Sequence, residues 1–202
     1  MAYTAPNTVA AGETYSAAAH NVIVNDIIYL KAEVDAFGYT LVHEEPLFTN
    51  VASASQDGVF TSAYDNYLLA GYYQNLTGGP FLEILLRTGG SDVTTNGYAS
   101  SYYRIRSDGG ALNQSNATAS ILIAASSSNA GVTGFVAHIF APAISGSRTM
   151  ITGNSSYSES NTLNYQHIIG AHTQATSAYD GITLKASSGN VTGQFWVYGA
   201  NS

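Results

Sequence analysis

Two hydrophobic periods divide this chain at Gly38. Over residues 16–37, SAAAHNVIVNDIIYLKAEVDAF, the apolar positions Ile23, Ile27, Leu30, Val34 and Phe37 recur at intervals of four, three, four and three. Side chains three and four apart share a helix face, so the spacing predicts an amphipathic helix with a narrow heptad stripe. Ser16 is placed to cap its first turn and Gly38 to follow its last, while Glu33 and Asp35 stay off the stripe. Two readings of the stripe are open: it packs on the rest of its own domain, or it pairs with copies of itself. In the second case isoleucine at successive seam positions favours a trimer over a dimer. About two heptads cannot hold a trimer alone, so the remaining chain must supply most of the contact.

After Gly38 the period falls to two and stays there. Short runs of aromatic and β-branched residues alternate with clusters of Gly, Ser, Asn and Asp, which predicts strands near Thr40–His43, Leu47–Val51, Val59–Thr61, Tyr67–Gln74, Phe81–Thr88 and Ser100–Arg106. Further strands are expected near Ala117–Ala124, Gly134–Pro142, Arg148–Asn154, Leu163–His172, Gly181–Ala186 and Gly193–Tyr198. Turn signals separate them, among them Asp57-Gly58, Gly78-Gly79-Pro80, Gly89-Gly90, Asn96-Gly97, Asp108-Gly109-Gly110 and Ser188-Gly189-Asn190. Many short strands between tight turns point to a mainly β, antiparallel fold, a sandwich of jelly-roll type. The expected plan is an arm and helix over 1–38, for anchoring and oligomerisation, and a β-sandwich domain over 39–202.

Several strands reveal their faces. In Phe81–Arg87 one parity holds Leu82, Ile84 and Leu86, the expected core face, and the other turns Glu83 and Arg87 outward. Phe195 and Val197 oppose Trp196 and Tyr198, and Gly134–Phe140 is also apolar on both sides. A strand apolar on both faces needs a cover on each, from a second sheet or from a neighbouring subunit.

Composition narrows the setting. With 202 residues and 45% hydrophobic content the chain can bury a full core, yet only 9% of it is charged, against about 25% in ordinary soluble domains. Hydroxyl and amide groups must therefore solvate the surface, which suits a protein outside the cell or within a large particle better than a cytosolic enzyme. The formal charge is −7, which gives no electrostatic footprint for nucleic acid or anionic lipid. Absence of cysteine excludes disulfides, thiolate metal sites and cysteine nucleophiles. The opening residues carry no secretory signal pattern, and no stretch is long and apolar enough for a membrane helix. The sequons at Asn75 and Asn190 read as products of an Asn- and Thr-rich composition.

Catalytic chemistry finds little support. Glu44 and Glu45 fall on opposite faces of an extended strand and cannot form a dyad there, and His20, His43, His138, His167 and His172 show no metal-ligand spacing. GxSxG is absent, the Gly-rich turns lack the lysine of a phosphate loop, and there is no calcium loop. No catalytic, metal or cofactor residue is assigned. What remains is the wealth of tyrosine: fifteen, with Tyr72, Tyr73, Tyr102, Tyr103, Trp196 and Tyr198 in local clusters. Such rings stack on sugars and hydrogen-bond through their hydroxyls, and they serve half-buried strands and interfaces equally well.

Two regions look familiar. The segment Ala5-Pro-Asn-Thr-Val-Ala-Ala-Gly-Glu-Thr-Tyr-Ser-Ala-Ala-Ala-His-Asn-Val-Ile-Val-Asn-Asp resembles the N-termini of small virion structural proteins of tailed bacteriophages, with Thr8-Val9, Gly12-Glu13-Thr14 and Asn25-Asp26 in the corresponding places. The β-region resembles a sandwich module of phage tail-fibre and decoration proteins. Tyr64-Asp-Asn-Tyr-Leu-Leu, Leu85-Leu-Arg-Thr-Gly-Gly-Ser-Asp, Ile182-Thr-Leu and Ser187-Ser-Gly-Asn-Val-Thr-Gly-Gln-Phe-Trp-Val-Tyr-Gly carry that likeness. The resemblance implies a non-enzymatic, multimeric component of the virion exterior, attached through its N-terminal part and displaying the β-module. Expected partners are copies of itself in a homotrimer, capsid or tail proteins of the same particle and, through the Tyr and Trp clusters, a host-surface glycan. Nucleic acid and membrane insertion are not expected. The alternative is a carbohydrate-binding module or lectin acting alone.

Overall fold

A computed structural model describes residues 38–75, 81–94, 97–107, 111–118, 120–124, 132–159, 162–172 and 177–200. The predicted helix with its seam Ile23, Ile27, Leu30, Val34 and Phe37 lies outside the described residues, as do the arm and the turn at 78–80. Gly38, with φ at 96°, leads into the first strand from the left-handed region that glycine tolerates.

The described residues form strands β1 (Tyr39–Glu44), β2 (Phe48–Val51), β3 (Ser53–Gln56), β4 (Asn66–Asn75), β5 (Leu82–Thr88), β6 (Ser91–Asp92) and β7 (Tyr98–Arg106). They continue with β8 (Ala111–Thr118), β9 (Ile121–Ala124), β10 (Val132–Phe140), β11 (Met150–Glu159), β12 (Thr162–His172), β13 (Gly181–Ala186) and β14 (Val191–Ala200). Every pairing is antiparallel. A nine-stranded sheet runs β1-β14-β4-β10-β11-β12-β7-β8, with β2 also on β14; a five-stranded sheet runs β3-β13-β5-β6, with β9 also on β5. The protein is thus mainly β, built from two antiparallel sheets.

Alternation along the strands decides which residues enter the core. Tyr67, Leu69 and Tyr73 of β4, Phe135, Ala137 and Ile139 of β10, and Phe195 and Val197 of β14 point inward from the large sheet. Leu82, Ile84 and Leu86 of β5 with Ile182 and Leu184 of β13 meet them from the small one, all in a single cluster. A bond joins the layers: the Leu86 N–H donates to the Tyr98 hydroxyl at 2.9 Å. Burial holds the Tyr98 hydroxyl well above the ordinary tyrosine range, and pushes Tyr102 and Tyr179 in the same direction.

Two expectations need correction. Val59–Thr61 is not a strand: Val59 and Phe60 are buried in an irregular segment, which the Tyr67 hydroxyl holds by accepting from the Thr61 N–H and donating to the Thr61 carbonyl. The apolar signal was that of a plug at the end of the core, with Phe60 edge-on to Tyr67. The run Ala117–Ala124 is not one strand but the end of β8 and all of β9, which belong to different sheets. Arg87 lies on the outward face as its parity predicts, but it is buried there rather than solvated. Its guanidinium is folded into a network on the outer side of the small sheet, because two turns bring Asp57 and Asp92 back over β5.

Candidate functional site

In an antiparallel sheet, residues directly opposite one another share a face, so register can be followed across many strands. One outward row of the large sheet reads Trp196, Ala70, Val136 and Asn154, and Tyr103 continues it two strands further on. The adjacent row reads Gln194, Tyr72, Gly134, Ser156, Tyr165, Ile105. No Asp, Glu, Lys or Arg occupies either row. Glu44 at the β1 edge is the nearest charge in register, and its carboxylate accepts a hydrogen bond from the Gln194 amide at 3.0 Å.

Relief on this face follows from side-chain size. Trp196 and Tyr72 stand side by side, ring centroids 6.2 Å apart and inclined at 42°. Next to them Ala70 is small and Gly134 has no side chain, so a hollow of about 480 Å³ opens between the two aromatic rings and the polar rim of Asn154 and Ser156. Tyr165 donates to Asn154 Oδ1 at 2.6 Å and so holds that rim. Beyond the rim the surface rises again: Tyr103 is 41% exposed, Ile105 46% and Tyr165 44%. At one end His138 stacks on Phe140, which with Met150 is also exposed.

The outer face of the small sheet has the opposite chemistry. Arg87 Nε donates to Asp57 at 2.7 Å, its Nη1 donates to Asp92 and Thr183, and its Nη2 donates to the Gly90 carbonyl. The bond with Asp57, followed by the charges of Asp92 and Asp57, raises the already high Arg87 pKa, with burial opposing. Ser55 and Thr183 share a hydroxyl bond, and Glu83 lies opposite Lys185. Arg87, Asp57, Asp92, Ser55 and Thr183 thus find partners within the same chain.

The structure separates the aromatic residues singled out in the sequence. Trp196, Tyr72, Tyr198 and Tyr103 all belong to the outer face of the large sheet, the first two around one hollow. Tyr73 and Tyr102 belong to the core, at 1% and 9% exposure, and offer no ring face to a ligand: each neighbours an outward tyrosine, and alternation turns it inward. Ala70, Gly134, Asn154, Ser156 and Tyr165 were not foreseen. Small and polar residues carry no signal by themselves, and only register brings them beside Trp196.

For catalysis the arrangement offers little. Among the described residues no three His, Asp or Glu side chains converge on a point that could hold a metal ion. His43 meets Glu45 at 2.9 Å, a local pair at a strand end. No helix among the described residues is long and apolar enough to cross a membrane. The chain matches no protein-family model and no curated protein.

Proposed function

We propose that this chain is a non-enzymatic structural subunit of the exterior of a tailed-phage particle, a fibre or capsid-decoration component that assembles as a homotrimer. In this reading residues 1–38 form the anchoring arm and amphipathic helix, and residues 39–202 form a jelly-roll-like body displayed outward. One observation carries it: the outer face of the nine-stranded sheet leaves large apolar side chains uncovered, whereas the opposite face of the body satisfies its polar groups internally. Large apolar side chains gathered on one exposed face favour an interaction there. The low charge of the chain and the phage-like segments at 5–26 and 182–199 agree with it.

The test is mass and place. Analytical ultracentrifugation of the full chain at micromolar concentration is expected to give a single species of three times 21.1 kDa. A monomer under those conditions rejects the assembly. Gold-labelled antibody on purified particles is expected to decorate the particle exterior, at head or tail.

A second reading has its own observation. Trp196 and Tyr72 beside the Asn154 amide resemble the mixture of ring face and hydrogen-bonding groups that a neutral saccharide requires. A lectin of this kind acts as a monomer with the hollow open. Saccharide-dependent quenching of the single tryptophan, lost in Tyr72→Ala while the tryptophan itself is kept, would support it.

A further inference from the structure

We infer that the hollow at Gly134 is a socket for another copy of this chain, filled by the ridge of Tyr103 and Ile105 from its neighbour. This rests on the self-association proposed above and specifies its surface.

Three properties of the face favour a second copy as the occupant. The first is extent. Eight strands spaced about 4.8 Å apart and about 9 residues long, at about 3.3 Å per residue, make a face of roughly 1000 Å², above the roughly 800 Å² per partner that a stable interface needs. The second is relief. A local hollow lies between Trp196, Tyr72 and Ser156, and Tyr165 and Ile105 project on the next two strands of the same register row, so the face holds both a recess and side chains that can enter one. The third is charge. Among the described residues, the outward positions of β14, β4, β10, β11 and β7, with Tyr165 of β12, contain no Asp, Glu, Lys or Arg, although the chain as a whole carries −7. Copies with that net charge repel one another, so a charge-free patch is where they can approach at least cost, and interface centres are depleted in charge generally.

The glycine makes the inference testable. A Cβ built on Gly134 meets nothing within 4 Å, and its φ is not in the left-handed region, so the body of one copy accepts a side chain there. Gly134→Trp is therefore expected to keep the melting temperature of the body while filling the socket. A covalent readout complements it, because the chain has no cysteine of its own. Ser156→Cys places a thiol on the socket rim, and Ser101→Cys places one beside the ridge, two residues from Tyr103 on the same face. With a short bismaleimide, the double variant is expected to give a covalent trimer on a denaturing gel and each single variant to stay monomeric. Adding Gly134→Trp to the double variant should reduce the cross-linked fraction at least tenfold.

Failures are distinguishable. A wild-type oligomer in which the double variant does not cross-link, or cross-links equally with Gly134→Trp, overturns the socket while leaving self-association intact. Cross-linking that stops at a dimer keeps the socket and overturns the trimer. A monomeric wild type whose tryptophan fluorescence responds to neutral saccharides overturns both and assigns the hollow to a glycan.

Discussion

The two sheets present opposite surfaces to the outside. On the five-stranded sheet, Arg87 sits between Asp57 and Asp92, Thr183 bonds Ser55, and Glu83 faces Lys185. The Arg87 network there is complete within one chain. On the nine-stranded sheet the outward positions hold Trp, Tyr, Val, Ile, Phe and Met with amides and hydroxyls between them, and several stay more than two-fifths exposed. The same alternation built both sheets, so the difference lies in which residues were placed at the outward parity. A surface that satisfies itself needs no partner, and one that does not is where association gains free energy.

Substitutions can break this contrast from either side. The largest effect is expected on the polar face: Arg87→Ala removes bonds to two carboxylates and a carbonyl, and because Asp57 and Asp92 are 48% and 33% exposed each ion pair contributes only about 1 kcal/mol, so a total loss of about 3 kcal/mol in urea unfolding is expected with assembly unchanged below the midpoint. Next comes the floor between the faces. A Cβ at Gly71 would lie 2.7 Å from the Phe135 ring and from the Gln194 carbonyl, so Gly71→Ala should cost about 2 kcal/mol, whereas Gly134→Ala, one strand away and facing out, should cost well under 1.

A smaller effect of different kind follows from the link between layers. Burial raises the Tyr98 pKa above its unfolded value near 10, so its contribution to stability is fully present below pH 10 and is lost as pH rises through the folded value. Thermal melts from pH 8 to 11 should show falling stability only at the alkaline end, and Tyr98→Phe should flatten that fall at a cost of about 1 kcal/mol at pH 7. The smallest effect on folding sharpens the contrast most: Tyr103→Asp with Ile105→Asp should change monomer stability by about 0.5 kcal/mol or less yet abolish higher-mass species in ultracentrifugation.

Much of this architecture is legible from the pattern of residues, and the limits are physical. Gly181–Ala186 is a strand over the residues expected, and Leu82, Ile84 and Leu86 face the core as their parity required. Local alternation carries that information. It does not carry the pairing of β14 with β4, which spans more than a hundred residues of chain and is what sets Trp196 beside Tyr72. Nor does it distinguish Arg87 on a solvated face from Arg87 under two returning turns. The glycine at 134 opens an expected strand, and its role depends on what stands in the strands on either side.

One consequence concerns synthesis. Strand β14, residues 191–200, lies between β1 and β4 and also pairs with β2, and it brings Phe195 and Val197 into the core with no exposed surface. The strands that need it most have left the ribosome long before it is made. Until then β4 keeps an open edge and the early strands β1 and β2 have nothing to pair with, so the nascent chain holds a hydrophobic layer it cannot close. Folding dominated by contacts so distant in sequence is slow, and its waiting intermediate is prone to aggregate. The yield of folded protein in the cell should therefore depend on chaperones that shield the first 190 residues until β14 arrives.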